Sequence, residues 1–321
     1  MESVEMPTAA KKDVMGKALT VARIYFQDHI KDPEAVAYVE QRDLSRAMLK
    51  RFEIGFAPKS WRGLVDHYSS HKIRLAARDA GLLTTPETSN RLFDFFKGRL
   101  MFPIRDGNGD LVGYGGRKVS GDDDGPKYLN TPETELFNKS ELLYGLHQHR
   151  QAITDRKEAM LVEGYLDVIR MSSVGADIAV APMGTAVTSS QIKQLLEAGV
   201  TKLWIGLDGD TAGLKATNRT IDAVMEHYHP SLDVRLVFFP AGHDPDSFIR
   251  EVGIDGLRQC MEQATGLSEY LHAHCSTGLG AVPCIEDKAL YLVRLQPFLD
   301  RCAGPLKDGL LEHASTFTGL P

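Results

Sequence analysis

Residues 159–210 constrain the fold more than any other part of this chain, because three short apolar runs alternate there with two helix-like stretches. Short apolar runs bounded by turn residues are typical of buried parallel strands. Residues 160–162 lead into Glu163, and residues 204–207 lead into Asp208 and Asp210. Ligands of parallel sheets bind outside the carboxyl ends of the strands. We therefore predict a parallel sheet with Glu163 and Asp208 at the same edge.

The residue types at this edge favour a metal site. Carboxylates that converge repel one another unless a cation joins them, and hard ions such as Mg²⁺ prefer oxygen ligands. If Asp208-Gly209-Asp210 is extended, its two carboxylates would lie on one face, and the glycine would let a phosphate approach the backbone. A lone Asp-Gly is usually a solvated turn. That alternative is weaker here, because Glu163 closes a second strand of the same series.

Short motifs in this segment resemble a known module. EGYLDV, APMGTAVT and LDGDTAGLKA resemble the Toprim module, which is shared by bacterial primases, topoisomerases, some nucleases and recombination proteins. Upstream, GRLMFPIRD, VGYGGR, PKYLNTPET and LYGL occur in the same order as in DnaG-type bacterial primases. The resemblance to the catalytic core of that family extends over about residues 25–263.

The resemblance implies an α+β fold with a central Toprim α/β subdomain, whose parallel sheet is Rossmann-like. A mixed α/β subdomain precedes it and a helical subdomain follows. Apolar spacing predicts short helices between residues 14 and 81, and the Asp106–Asp110 segment predicts a hairpin turn. The predicted divisions are a disordered tail over 1–14, a primase core subdomain with a basic ridge over 15–150, the Toprim subdomain over 158–250 and the helical subdomain over 251–321.

The same resemblance implies a DNA primase core, which synthesises short RNA primers from nucleoside triphosphates on single-stranded DNA by two-metal nucleotidyl transfer. The family's acidic positions match Glu163, Asp208 and Asp210 as catalytic metal ligands and Asp244 or Asp246 as further ligands. Asp167, one helical turn beyond Glu163, is a weaker, accessory candidate for the same pocket. The basic and polar positions match Arg117, Lys127, Asn130 and Lys139, and Arg99 and Arg105 more loosely. Phe95 stands where the family often has Arg, so we expect Lys97 to replace that contact.

The distribution of charge limits how the chain can bind nucleic acid. Residues 1–150 carry 23 Lys and Arg against 21 Asp and Glu, whereas residues 151–321 carry 14 against 22. The net charge of −6 excludes strong non-specific DNA binding driven by net charge alone. Any basic surface for a template must therefore come from the first half.

The expected cofactor is Mg²⁺ or Mn²⁺, as two or more ions, and no zinc. The four cysteines form no CxxC pair, and their spacing to His272 and His274 fits no closed zinc site. No apolar run approaches 18 residues and no signal sequence is recognisable at the N-terminus, so we expect a cytoplasmic protein without membrane contact. The resemblance implies that it is bacterial or encoded by a phage or mobile element.

The alternatives come from other classes. A topoisomerase needs a DNA-attacking tyrosine, and no tyrosine motif here suggests one. A Toprim-type nuclease could use the same carboxylates to activate water, and a non-catalytic module could bind single-stranded DNA in replication. The expected partners are the DNA template, nucleoside triphosphates and the RNA primer. The family also implies contacts with the replicative helicase and a zinc domain, although we expect the domains that make them to be absent from this chain.

Overall fold

The computed structural model describes residues 8–87, 89–121, 125–184, 186–206, 211–240 and 242–320. The helices are α1 Thr8–Asp28, α2 Pro33–Gln41, α3 Arg46–Arg51, α4 Gly63–His67, α5 His71–Asp79, α6 Leu146–Arg156, α7 Tyr165–Ser173, α8 Ser189–Glu197, α9 Thr211–Met225, α10 Pro245–Glu262, α11 Leu267–Ser276, α12 Ile285–Leu299 and α13 Pro305–Thr318, with a short 3₁₀ helix at His29–Lys31. The strands are β1 Gly55–Ala57, β2 Leu83–Thr84, β3 Phe93–Asp94, β4 Arg99–Arg105, β5 Leu111–Lys118, β6 Tyr128–Asn130, β7 Glu158–Leu161, β8 Ala179–Val180, β9 Lys202–Ile205, β10 Asp233–Leu236 and β11 Thr265–Gly266.

The contacts divide the chain into two compact units. One lies within Met1–Gln148 and Met183–Thr185, and the other within His149–Pro182 and Ala186–Pro321. The boundary falls inside α6. This division by contacts does not test the domain boundaries that were predicted from the sequence, and those boundaries stay predictions.

The first unit is built on an antiparallel sheet with the strand order β1-β4-β5-β6. The predicted hairpin is confirmed, since β4 pairs with β5 on either side of the Asp106 turn. The Asp106 carboxylate closes that turn by accepting the amides of Asn108 and Asp110 at 2.9 Å each. Helix α1 packs on this sheet, and the buried Tyr114 on β5 donates its hydroxyl to the Leu19 carbonyl at 2.7 Å.

The N-terminal helix begins earlier than the sequence prediction placed it. Residues 8–14 belong to α1, so the expectation of a disordered tail over 1–14 is wrong for them, and residues 1–7 lie outside the described part. The prediction relied on the polar composition of these residues. The helix buries Val14, Met15 and Leu19 in the core of the unit. This burial anchors the helix, and the polar residues that precede them continue the same helix.

The second unit confirms the predicted parallel sheet. Its strand order is β11-β10-β9-β7-β8, in which β10, β9, β7 and β8 run parallel and β11 is antiparallel to β10. Leu161 at the end of β7 pairs with Ile205 at the end of β9. The carboxyl ends of these strands therefore share one edge, called the acidic edge below because Glu163 follows β7 there.

Helices dominate the end of the chain, as predicted. Helix α10 is kinked at Gly253, whose φ of +71° is left-handed. Helices α11, α12 and α13 pack together around buried Leu271, Tyr291 and Leu310. Across the described ranges, no helix combines the length and the hydropathy that crossing a membrane would require.

Candidate nucleic-acid interface and metal site

Arg117 is the most distinctive basic residue of the first unit. It lies on β5 opposite Tyr128 on β6, its side chain is buried with only 7% exposure, and it donates to the Tyr128 hydroxyl at 2.6 Å. Its guanidinium lies 4.9 Å from the Tyr128 ring centroid and 5.5 Å from that of Tyr38. Among the described residues its Nε has no hydrogen-bond partner and no carboxylate pairs with it. A buried cation without an anion is costly, so this position suits an anionic ligand.

The neighbouring predicted residues surround this position in different ways. Lys127 is exposed, with its Nζ 6.0 Å from the Tyr128 ring centroid. Asn130 lies two residues further along β6, so its side chain shares the face of Tyr128, and it donates to the Met183 carbonyl at 2.9 Å. Lys139 lies on the loop that follows and is half-buried, and its backbone amide donates to Glu133 at 3.2 Å.

Arg99 contacts the backbone of this part of the first unit. Its side chain is 7% exposed and donates to the carbonyls of Pro126 at 2.9 Å, Gly116 at 3.3 Å and Lys127 at 3.4 Å. These bonds fix the backbone that carries Lys127. The structure therefore places Arg99 as a support for a basic surface, whereas the sequence predicted a direct contact. A direct contact between Arg99 and a nucleotide or template stays a prediction.

The structure adds an exposed aromatic surface that sequence reasoning missed. Trp61 is 65% exposed, although it is one of only two tryptophans in the chain. The ammonium group of Lys97 lies 3.4 Å from the centroid of its ring, and Phe93 meets the ring edge-on at 6.1 Å. An exposed aromatic ring beside a lysine is typical of surfaces that stack the bases of single strands. The signal in the sequence was a tryptophan among polar turn residues, KSWRG.

Arg42 is a second missed residue. Its guanidinium lies 5.8 Å from the Tyr38 ring centroid, so two arginines, Arg42 and Arg117, approach the same ring. Tyr38 lies on α2, far from β5 in sequence, and only the fold brings the three together. We use the name basic-aromatic surface for two groups of side chains in the first unit, the Trp61–Lys97 pair and the residues Arg42, Arg117 and Lys127 beside the Tyr38 and Tyr128 rings.

The second unit holds the predicted metal ligands. Glu163 is half-buried two residues after β7 ends, and Asp208 and Asp210 lie outside the described residues. Asp244 caps α10 by accepting the Ser247 amide at 2.7 Å. No group of three or more metal-binding side chains forms within the ranges that the structure covers. The carboxylates present are hard oxygen donors and fit Mg²⁺ or Mn²⁺ in type, and their roles as ligands stay predictions.

Asp167 and Asp246 have well-defined partners. Asp167 is buried at the start of α7, where it accepts the Gly164 amide at 2.9 Å and the Asp246 amide at 3.1 Å. Asp246 is itself buried and accepts from Nε of Arg170 at 2.9 Å. The structure thus brings together two predicted residues that are 79 positions apart in sequence, and it adds Arg170, which no sequence pattern indicated.

Two family models match this chain. A model of the N-terminal domain of the DNA primase catalytic core matches residues 25–150, and a Toprim-like model matches residues 160–249. A crystal structure of a DNA primase domain from Pseudomonas aeruginosa is 37% identical with a TM-score of 0.89, and the match covers 96% of this chain and 97% of that one. The chain belongs to the DnaG-type DNA primase family.

Other members of the family show the extent of the match. The curated DNA primase of Pseudomonas aeruginosa is 39% identical over 290 residues, which are 89% of this chain and 43% of that protein. The DNA primase of Escherichia coli K12 is 37% identical over 251 residues, or 77% of this chain and 42% of that protein. A solved DnaG primase catalytic domain bound to ssDNA is 30% identical with a TM-score of 0.89, over 98% of both chains. The chain therefore spans less than half the length of these curated relatives.

Proposed function

We propose that this chain is a primase core that joins ribonucleotides on a single-stranded DNA template, using divalent cations held at the acidic edge. The observation that carries the proposal is Arg117, a buried guanidinium without a carboxylate partner among the described residues, beside the exposed Lys127. Phosphate groups of a template or a triphosphate supply the anion that Arg117 lacks.

The basic-aromatic surface supports a single-stranded template in particular. Trp61 offers a ring face on which bases of any identity can stack, and Lys97 and Arg42 lie beside aromatic rings where a phosphate backbone can run. The relative whose structure was solved with ssDNA has the same fold, which supports the same kind of partner here.

The chemistry requires a 3′-oxygen to attack a phosphorus atom while pyrophosphate leaves. Divalent cations, when bound, supply the charge stabilisation of the entering and leaving oxygens. Glu163, Asp208 and Asp210 would hold them, with Asp244 or Asp246 completing the set. Arg117 and Lys127 would hold phosphate charge, and Asp167 would fix the starts of α7 and α10. Such a reaction depends on positioning and electrostatics, and none of these residues needs to act as a covalent nucleophile.

The same proposal includes the finer expectations from the family. These are two metal ions, nucleoside triphosphates as substrates, an RNA primer as product and a location in the bacterial cytoplasm. Contacts with the replicative helicase and with a zinc domain belong to the whole protein in the family, and for this chain they are part of the proposal only.

The test is a primer-synthesis assay with single-stranded DNA, labelled ribonucleotides and Mg²⁺ or Mn²⁺. We expect short RNA products from the unmodified chain, and a loss of at least about 100-fold in Asp208→Ala, because a developing charge loses its stabilisation. Binding of single-stranded DNA should persist in this variant. Asp255→Ala is the matched control, since that aspartate is 87% exposed on α10 and should leave synthesis unchanged.

Two outcomes would replace this proposal. Degradation of the template that depends on Asp208 would establish a Toprim-type nuclease. Binding of single-stranded DNA with neither synthesis nor degradation would leave a non-catalytic binding module.

A further inference from the structure

The second unit contains a fully buried ion pair beside the acidic edge. Nε of Arg170 on α7 donates to Oδ1 of Asp246 at 2.9 Å, and the two side chains are only 5% and 4% exposed. Taking two charges out of water is expensive, and their attraction offsets the cost only when the geometry is good. Removing one partner of such a pair leaves an uncompensated buried charge, so each partner constrains the other.

The pair lies between the two helices that carry predicted ligands. Helix α7 begins directly after Glu163 and Gly164, and α10 begins directly after Asp244. Asp167 bridges their starts, because it accepts the Gly164 amide at 2.9 Å and the Asp246 amide at 3.1 Å. The backbone of Asp246 is therefore fixed by Asp167, and its carboxylate is fixed by Arg170.

We propose that Arg170 is a positioning residue of the acidic edge, which holds the Asp246 carboxylate against α7 and, as a permanent positive charge, weakens the binding of divalent cations there. The inference rests on the proposed function, because it takes Asp246 as a member of the ligand set. A guanidinium stays protonated at all working pH values, so this charge is always present. It lowers the repulsion among the carboxylates and competes with an added cation for the same oxygens.

The probe is Mn²⁺ alone, with free Mn²⁺ measured by electron paramagnetic resonance during titration of the full chain. Arg170→Gln removes the charge but keeps a side-chain amide that can donate to Asp246. We expect this variant to bind Mn²⁺ about tenfold more tightly than the unmodified chain. Arg170→Lys keeps the charge, and its affinity should stay within about twofold. Arg258→Gln is the matched control, because Arg258 forms an exposed surface pair with Asp255 and should leave the affinity unchanged.

A purely structural role for the pair makes a different prediction. Loosening the packing of Asp246 would weaken Mn²⁺ binding or leave it unchanged, and either result in Arg170→Gln would overturn the proposal. If this variant does not fold without metal, its melting temperature is followed at rising Mn²⁺. Recovery of the fold would support the proposal, since the ion replaces the lost charge, and a chain that stays unfolded at saturating Mn²⁺ would refute it.

The outcome can be separated from that of the proposed function. Primer synthesis lost in Asp208→Ala, together with unchanged Mn²⁺ affinity in Arg170→Gln, rejects only the role of Arg170. Absence of primer synthesis by the unmodified chain rejects the proposed function, whatever the Mn²⁺ titration of the Arg170 variants shows.

Discussion

At the scale of single residues, Glu53 shows how the fold uses charge away from the candidate site. Its carboxylate pairs with Arg23 of α1 and accepts from Nε of Arg105 on β4 at 2.9 Å. Burial by itself would raise the pKa of Glu53, but the hydrogen bond and charge of Arg105, together with Arg23, hold that pKa below its ordinary value. Arg105, which matched the family's basic positions loosely in the sequence, is thus engaged in an ion pair within the first unit.

We predict that Glu53→Gln lowers the free energy of unfolding by about 2 kcal/mol at pH 7, because two partly buried arginines lose their counter-charge. A depressed pKa contributes stability that is present above the unfolded value of about 4.3 and is lost as the pH falls through the folded value. The difference between variant and parent should therefore shrink between pH 5 and about pH 3. Urea unfolding at several pH values measures it.

Glu197→Gln serves as the control, because Glu197 forms a surface pair with Lys193 and is 65% exposed. Its effect should stay below about 0.5 kcal/mol at every pH. A pH-independent destabilisation by Glu53→Gln would show that the hydrogen-bond geometry matters at this position and the charge does not.

At the scale of elements, the contact of α1 with β1 depends on a glycine. A Cβ built on Gly55 would lie 2.5 Å from the backbone carbonyl carbon of Phe26. Real Cβ atoms do not approach backbone atoms so closely, so a side chain at residue 55 must push helix and strand apart. The three residues of β1 are buried and pair with β4, so the displacement would reach the sheet.

We predict that Gly55→Ala destabilises the chain by about 2–3 kcal/mol through overpacking. Gly16→Ala, within α1, should do the opposite and stabilise by about 0.5–1 kcal/mol, because alanine favours the helix and no described atom lies within 4 Å of the added methyl group. Thermal and urea unfolding of both variants provide the comparison. A neutral Gly55→Ala would mean that α1 can move away from β1 without cost.

At the scale of the whole molecule, the sign and distribution of charge set the mode of template binding. The net charge is −6, and the excess of acid lies in residues 151–321. We therefore expect weak non-specific attraction to a polyanion, and under the proposed function template binding would depend on a few local contacts of the basic-aromatic surface. Stacking on Trp61 would be insensitive to salt, whereas a contact of Lys127 with phosphate would weaken as salt rises.

We predict that Lys127→Ala reduces the slope of log K against log salt concentration by about 0.7 for a single-stranded oligonucleotide, since one phosphate contact is lost. Trp61→Ala should weaken binding by about 1–3 kcal/mol without changing that slope. Fluorescence anisotropy at several salt concentrations measures both. Lys193→Ala is the control, because this exposed lysine lies on α8 in the second unit. Equal salt-dependence slopes in all variants would show that the template binds outside the basic-aromatic surface.

Local sequence was sufficient for the elements whose signals are local. The apolar runs and helix spacing predicted the parallel sheet, and β7 and β9 were found with ends that differ by a few residues. The Asp106 turn predicted its hairpin because Asx and glycine residues encode the turn directly. The motifs around Glu163 and Lys127 predicted the family, which the matches confirm. The strand β1 was missed because its three residues have no periodicity and are defined only by pairing with β4.

Tertiary structure decided how individual charged side chains are used. The sequence showed Arg99, Arg105 and Arg117 as similar basic residues on one hairpin, yet the fold engages the first with carbonyls and the second with Glu53. Arg117 alone of the three has no carbonyl or carboxylate partner among the described residues. The pairing of Arg170 with Asp246 joins residues 76 positions apart. Partners of this kind depend on distances across packed elements, which no local pattern of residues encodes.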